Sequence, residues 1–339
     1  MGRDLRIDYL KAMAIISVIL LHSFKTDYEN SILGPYHILQ AVPVFLLLTG
    51  LNLVNSFERK KITNLIYFYS LDQIAKRLKR LLIPFTIVWI FQLYVLVSSS
   101  GHVLKIKEVF LTFIQGGWGP GSYFIPLILQ VVFGLPLLYL WAKRNPMNML
   151  IGTFIINFAF ELYAYYSYMP NEIYRFIFLR YIFIIGLGVY MAFKPNWNKW
   201  FEIGTFVSLV YITAVHYYGF KPAVQPNWSS QNVYAYFWPY ALVIFGLSRL
   251  KNTASSIAAK VMKTIGEASY HIFLTQMVYF WAFQPFPTMR ILYGYPPTKL
   301  AFINIFLCLI FGVAFYYIEK LLFGKIKIIS LLKSKKTAS

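Results

Sequence analysis

Lys11 and His22 stand eleven residues apart in an otherwise apolar stretch near the start of the chain. At about 100° per residue, eleven steps return to within roughly 20° of the starting direction, so a helix puts both side chains on one face. The rise separates them by about 16 Å along the axis. Asp8 falls roughly 40° from the same line, fourteen steps before His22. An imidazole exchanges protons near neutral pH, so it can deprotonate a hydroxyl or carry an acyl group. Ionisable groups are costly in lipid, so they face a bundle interior or a wet cavity and mark a functional path. The plainer reading of His22 is a polar residue that ends a span at the interface; the stripe with Asp8 and Lys11 argues for chemistry.

Other groups could serve the same chemistry. Arg77 and Arg80 lie three residues apart just before Leu81-Leu82-Ile83-Pro84. At a helix start their guanidinium forks share a face and can grip phosphates; as stop-transfer charges they would simply meet lipid headgroups. Asn157 and Glu161 are four apart in one apolar run, and Arg180 lies near the start of the next. A short connection makes these runs antiparallel neighbours, so Glu161 and Arg180 are expected at one depth, close to that of His22. A carboxylate there would favour imidazolium and orient the ring. A purely structural Glu–Arg pair is the other reading. His271 and Gln276 could line a cavity, but polar residues also glue membrane helices together, and packing is the preferred reading. His37, His102 and His216 have no ligand-like spacing, so no metal site is expected. The run Gly116-Gly117-Trp118-Gly119-Pro120-Gly121 lacks the Lys of a phosphate loop and reads as a tight connection shaping a substrate mouth.

The elements that must position these groups are membrane helices. Hydrophobic residues make up 58% of the 339, charged residues 13%, and the mean hydropathy is +0.57. Apolar runs of spanning length lie at about 6–25, 36–57, 81–98, 123–142, 148–169, 173–193, 201–219, 233–249, 266–285 and 299–320. Pro120, Pro146, Pro170, Pro195 and Pro226 fall between them. Lys25-Thr26-Asp27-Tyr28-Glu29 lacks a signal-peptide cleavage pattern, so the first run is read as a retained helix. The net charge of +20 is not spread like a nucleic-acid surface: 24 Lys and Arg fall on one side of the expected topology and 7 on the other. The positive-inside rule then puts both termini in the cytoplasm. A lone cysteine, Cys308, rules out an intrachain disulfide. The expected fold is an all-α integral membrane protein of about ten transmembrane helices, with N-terminus and C-terminus cytoplasmic. It is one domain, 1–339, ending in a basic tail over 320–339.

Four segments, taken together, carry a family resemblance. Arg6-Ile7-Asp8-Tyr9-Leu10-Lys11 leading to Leu20-Leu21-His22 is similar to an opening Asp-x-x-Arg followed by ten residues and His. Ala41-Val42-Pro43-Val44-Phe45-Leu46-Leu47-Leu48-Thr49-Gly50 resembles a Phe-Phe-x-Leu-Ser-Gly segment. Arg77-x-x-Arg80 with Pro84 matches an Arg-x-x-Arg element. Gly266-x-x-Ser269-Tyr270 through Leu274 is similar to a late Gly-x-x-Ser-Tyr-x-x-Tyr-Leu stretch. In this order they resemble the type 3 membrane acyltransferases, bacterial ten-helix O-acetyltransferases of sugars and envelope polymers. Lys11 departs from the family's Arg and loses its planar fork. Thr49 replaces Ser, and Gln276 stands where many members have His.

The resemblance implies an O-acyltransferase of the cell (cytoplasmic) membrane, with O-acetyl transfer its expected form. Acetyl-CoA or another acyl-CoA would be the cytosolic co-substrate, held by Lys11, Arg77 and Arg80, with no metal. His22, Glu161 and Asp8 would be the catalytic groups, His22 as base or as acyl carrier. Arg180 and Asn157 would position the substrate. The acceptor would be a hydroxyl of a carbohydrate or envelope glycan at the outer face. Membrane lipids are expected partners and nucleic acid is not; the oligomeric state stays open. The alternative is a transporter or flippase of a glycan intermediate, whose cue would be inverted repeats with Gly- or Pro-broken helices in matching halves; no convincing pair is found.

Overall fold

Asp4 starts the first helix by accepting a hydrogen bond from the Arg6 backbone N–H at 3.1 Å, as a good N-cap does. The Arg6 guanidinium closes on the same carboxylate and donates to the Leu247 carbonyl at 2.8 Å. Held this way, the Asp4 carboxyl lies below its usual range. The computed structural model describes residues 4–61, 64–100, 105–193, 199–282 and 296–336. His102, Pro195 and the end of the ninth expected span, 283–285, lie outside them.

The longer helices in chain order are α1 (Leu5–Leu21), α2 (Ala41–Arg59), α3 (Leu71–Ser100), α4 (Phe124–Arg144), α5 (Pro146–Tyr166) and α6 (Ile182–Phe193). They continue with α7 (Lys199–Tyr217), α8 (Phe237–Arg249), α9 (Ile257–Glu267), α10 (Ser269–Ala282) and α11 (Pro297–Lys336). Among the described residues there is no strand. Among the described residues five stretches are long and apolar enough to cross a membrane: Gly34–Arg59, Leu71–Ser99, Phe124–Arg144, Pro146–Tyr166 and Pro297–Leu322. The protein is therefore an all-α membrane protein.

Three expected boundaries are corrected. The third helix begins at Leu71, ten residues before the expected start, so Arg77 and Arg80 sit inside a helix rather than in a loop at its edge. Lys and Arg alternate there with Ile74, Leu78 and Leu81, all good helix formers, and charge alone hid the continuity. The sixth run is not one helix: a turn at Asn171–Tyr174 and a 3-10 turn at Phe178–Tyr181 precede α6, and Arg180 lies in that second turn. The ninth run breaks at Ala268, leaving Gly266 and Glu267 on α9 and Ser269 onwards on α10.

Among the described residues two large apolar cores result, with two small clusters beside them. The larger joins α2, α4, α5, α6 and α8 through residues such as Leu47, Leu135 and Ile185. The second joins α3, α10 and α11 through Phe85, Met277 and Cys308. Helix α1 serves both, giving Ile7, Leu10 and Ala14 to the first and Ala12, Ile15, Val18 and Ile19 to the second. A helix that is apolar on nearly all sides must be central. Accordingly α1 packs against α2, α8, α9, α10 and α11. The stripe that carries Asp8, Lys11 and His22 thus runs between two cores.

Candidate functional site

His22 is the residue that closes α1. Its backbone N–H returns to the Leu20 carbonyl, and the following chain leaves the helix as a turn. The ring is half-buried and meets Phe280 of α10 edge-on, with centroids 5.7 Å apart. Among the described residues it makes no hydrogen bond, so no neighbour fixes its tautomer. The next residue is better anchored: the Ser23 hydroxyl donates to the Ile19 carbonyl and accepts from Asn304 of α11.

At the other end of α1, Asp8 is buried at 2% exposure and Lys11 is half-buried one turn on. The chain of α9 comes so close here that a Cβ on Gly266 would lie 1.9 Å from the Asp8 carbonyl oxygen. Only glycine fits that approach. Arg77 lies half-buried with its guanidinium over the Phe57 ring at 5.1 Å, whereas Arg80 is exposed. Of this expected donor-binding pair, one arm leans into the bundle and the other stays free to reach outward.

Asn157, Glu161 and Arg180 are brought together, as their spacing predicts, but not as an ion pair. All three are fully buried. The Tyr174 hydroxyl donates to Glu161 at 2.6 Å, and the Asn157 amide reaches the other carboxylate oxygen at 3.5 Å. The Arg180 guanidinium sits over three rings, Tyr174 at 4.3 Å, Tyr181 at 4.2 Å and Trp228 at 4.0 Å. Its Nη2 donates to the Gln231 carbonyl at 3.1 Å, while Nε and Nη1 have no hydrogen-bond partner. Three π faces take the place of a carboxylate. Tyr174 links the two charges, giving its hydroxyl to Glu161 and its face to Arg180. Among the described residues neither Glu161 nor Arg180 hydrogen-bonds or pairs with His22.

The glycine-rich segment folds against α10 rather than out into solvent. The main chain turns through positive φ at Gly116, Gly117, Gly119 and Gly121. Buried Gln92 accepts from the Trp118 N–H at 3.2 Å and donates to its carbonyl at 2.7 Å. Gln276 donates to the Pro120 carbonyl at 3.3 Å. Irregular backbone among apolar helices needs such partners. His271 pairs with the Glu319 carboxylate and is buried among Phe315 and Tyr316, which makes it a helix-to-helix contact. His216 bonds Ser230, and His37 bonds the Leu33 carbonyl. Among the described residues no three side chains are grouped to hold a metal.

Sequence reasoning missed several groups. Tyr174, Tyr181 and Trp228 carry no signal of their own in so aromatic a chain, although Tyr181 directly follows Arg180. Glu29, on a short helix just past His22, is buried, and burial raises its carboxyl to about 7. Asn304 and Tyr279 gave no signal in isolation.

A family model described as an acyltransferase domain matches residues 4–318. The chain belongs to the acyltransferase-3 family. Comparison with curated proteins gives no match, and comparison with solved structures gives none. Membership makes the protein an acyltransferase, and its apolar helices of spanning length make it a multi-pass membrane enzyme. In this acyltransferase, the two ends of α1 and the Arg180 cluster are three places where ionisable side chains meet an apolar interior.

Proposed function

We propose that this acyltransferase moves an acetyl group from cytosolic acetyl-CoA to a carbohydrate or envelope-glycan hydroxyl at the outer face of the cytoplasmic membrane. The single domain, 1–339, would cross the membrane ten times with both termini and the basic tail inside. The observation that carries the reading is His22: a half-buried imidazole, free of hydrogen bonds among the described residues, at the end of a helix whose other end bears Asp8 and Lys11. A ring that no described residue hydrogen-bonds, with one edge on Phe280, is available to a substrate.

In this scheme Arg77, Arg80 and Lys11 receive the phosphates of acetyl-CoA through charge-assisted hydrogen bonds. Asp8, one turn from Lys11 on the same helix, adds a buried carboxylate to the catalytic groups. The acyl group reaches His22 through the bundle. There the imidazole takes the proton of the acceptor hydroxyl, whose oxygen attacks the acyl carbonyl. The carbon–sulfur bond breaks, and the CoA thiolate receives the proton. In the variant route His22 carries the acyl group and passes it on; acetyl-His22 in rapidly quenched protein would mark that route. Glu161, Asn157 and Arg180 supply a fixed field from the neighbouring helices and help to place the acceptor.

The test is ester analysis of the envelope in a deletion strain, complemented with wild type or with His22→Ala. Wild type restores acyl esters and His22→Ala does not. Full restoration by His22→Ala overturns the catalytic assignment. Movement of unmodified glycan across vesicles by the purified protein, with no thioester consumed, would replace transfer with transport.

A further inference from the structure

We infer that Asn304 is a positioning residue for His22, acting from α11 through a one-way chain of hydrogen bonds. The inference rests on the proposed role of His22. The Tyr279 hydroxyl of α10 donates to Asn304 Oδ1 at 2.8 Å. Asn304 Nδ2 donates to Ser23 Oγ at 3.0 Å, and Ser23 Oγ donates to the Ile19 carbonyl at 2.7 Å. Tyr279 and Asn304 are both buried, at 8% and 3% exposure.

A reactive side chain on the last residue of a helix is badly placed by default. Helix ends fray, and the backbone there lacks the bonds that hold the middle. Small displacements matter: about 1 Å at a reacting group can cost roughly 100-fold in rate. The His22 ring is carried by its own backbone and packs its edge on the Phe280 ring. Ser23 follows His22 and Phe280 follows Tyr279, so both contacts are one residue away from a partner of the same amide. Asn304 therefore fixes the exit of α1 and the wall of α10 relative to each other. A carboxamide suits this task because it must accept on one side and donate on the other. Leu at this position keeps the volume and loses both bonds; Phe at 279 loses only the first.

The experiment uses membrane vesicles of the full chain, titrated with radiolabelled acetyl-CoA and read as label in the envelope fraction. Asn304→Leu is expected to lower the maximal rate by about tenfold or more, with the KM for acetyl-CoA unchanged. Tyr279→Phe lowers it by a smaller factor, and it serves as the reporter if Asn304→Leu does not assemble. Carbethoxylation of His22 by diethyl pyrocarbonate, followed by mass spectrometry, should change rate in both variants; a merely structural contact would leave it alone. Placed on His22→Gln, Asn304→Leu should cost nothing further. Wild-type rates and unchanged carbethoxylation in both variants would overturn the inference. If His22→Gln itself keeps full activity, the reading of His22 fails first and separately.

Discussion

The end of α1 and the Arg180 cluster treat an ionisable side chain in opposite ways. His22 is half-buried, touches one aromatic edge and makes no hydrogen bond among the described residues. Arg180 is fully enclosed, covered on its faces by three rings and bonded to the Gln231 carbonyl. A group that must react needs room and an unspent lone pair. A permanent charge with no chemistry to do needs every face covered, because an uncompensated buried ion is costly. On the proposed reading, the reaction belongs to the first place and the support to the second.

Exchange of function between the two places would break this contrast. His22→Ala should lower acetyl transfer by about 1000-fold while shifting stability by less than about 1 kcal/mol, since little but one ring edge is lost. Arg180→Leu should instead lower stability by about 3 kcal/mol in thermal unfolding of the detergent-solubilised enzyme, through three lost cation–π contacts and one hydrogen bond. A destabilised His22→Ala or an unperturbed Arg180→Leu would invert the assignment. Double replacement of Arg77 and Arg80 by Ala should raise the KM for acetyl-CoA about tenfold and leave insertion intact. Most of that change should come from Arg80, the exposed arm, with Arg77 partly committed to Phe57. Tyr174→Phe removes the donor to Glu161 but keeps the ring under Arg180, and it should cost about 1 kcal/mol.

A pH-dependent effect concerns Glu29, on the short helix just past His22. Burial raises its carboxyl to about 7, so the folded protein keeps a proton that the unfolded chain gives up. The sign follows: this contribution to stability is full in acid, below the usual carboxylate range, and is lost as the pH rises to about 7. Melting temperatures of wild type should therefore fall relative to Glu29→Gln between acid and neutral pH, by roughly 3 °C. Parallel curves for the two proteins would show that the carboxyl is solvated instead.

Much of this architecture is legible residue by residue. The length and hydropathy of the apolar runs locate the helices, and the eleven-residue step from Lys11 puts His22 in line with it. Other features resist such reading. Charge hides the helical start at Leu71, because Lys and Arg in a row look like loop until their apolar partners are placed on the same helix. The Gly116–Gly121 segment reads only as a tight connection shaping a substrate mouth, since nothing local says that Gln92 and Gln276 bond its backbone. The Glu161–Arg180 pairing is anticipated in depth and missed in kind: Tyr174 stands between them, and aromatic residues are too common in this chain to be singled out by type.

Composition and local periodicity determined by themselves that this chain is helical, lies in a membrane and carries an ionisable stripe on its first helix. Those properties depend on near neighbours and on the energy of apolar surface in water. Tertiary structure alone decided that α1 runs between two cores, that Arg180 is covered by rings rather than by a carboxylate, and that Asn304 ties down the residue after His22. These depend on groups tens to hundreds of positions apart, and only packing of one helix against another selects which of them meet.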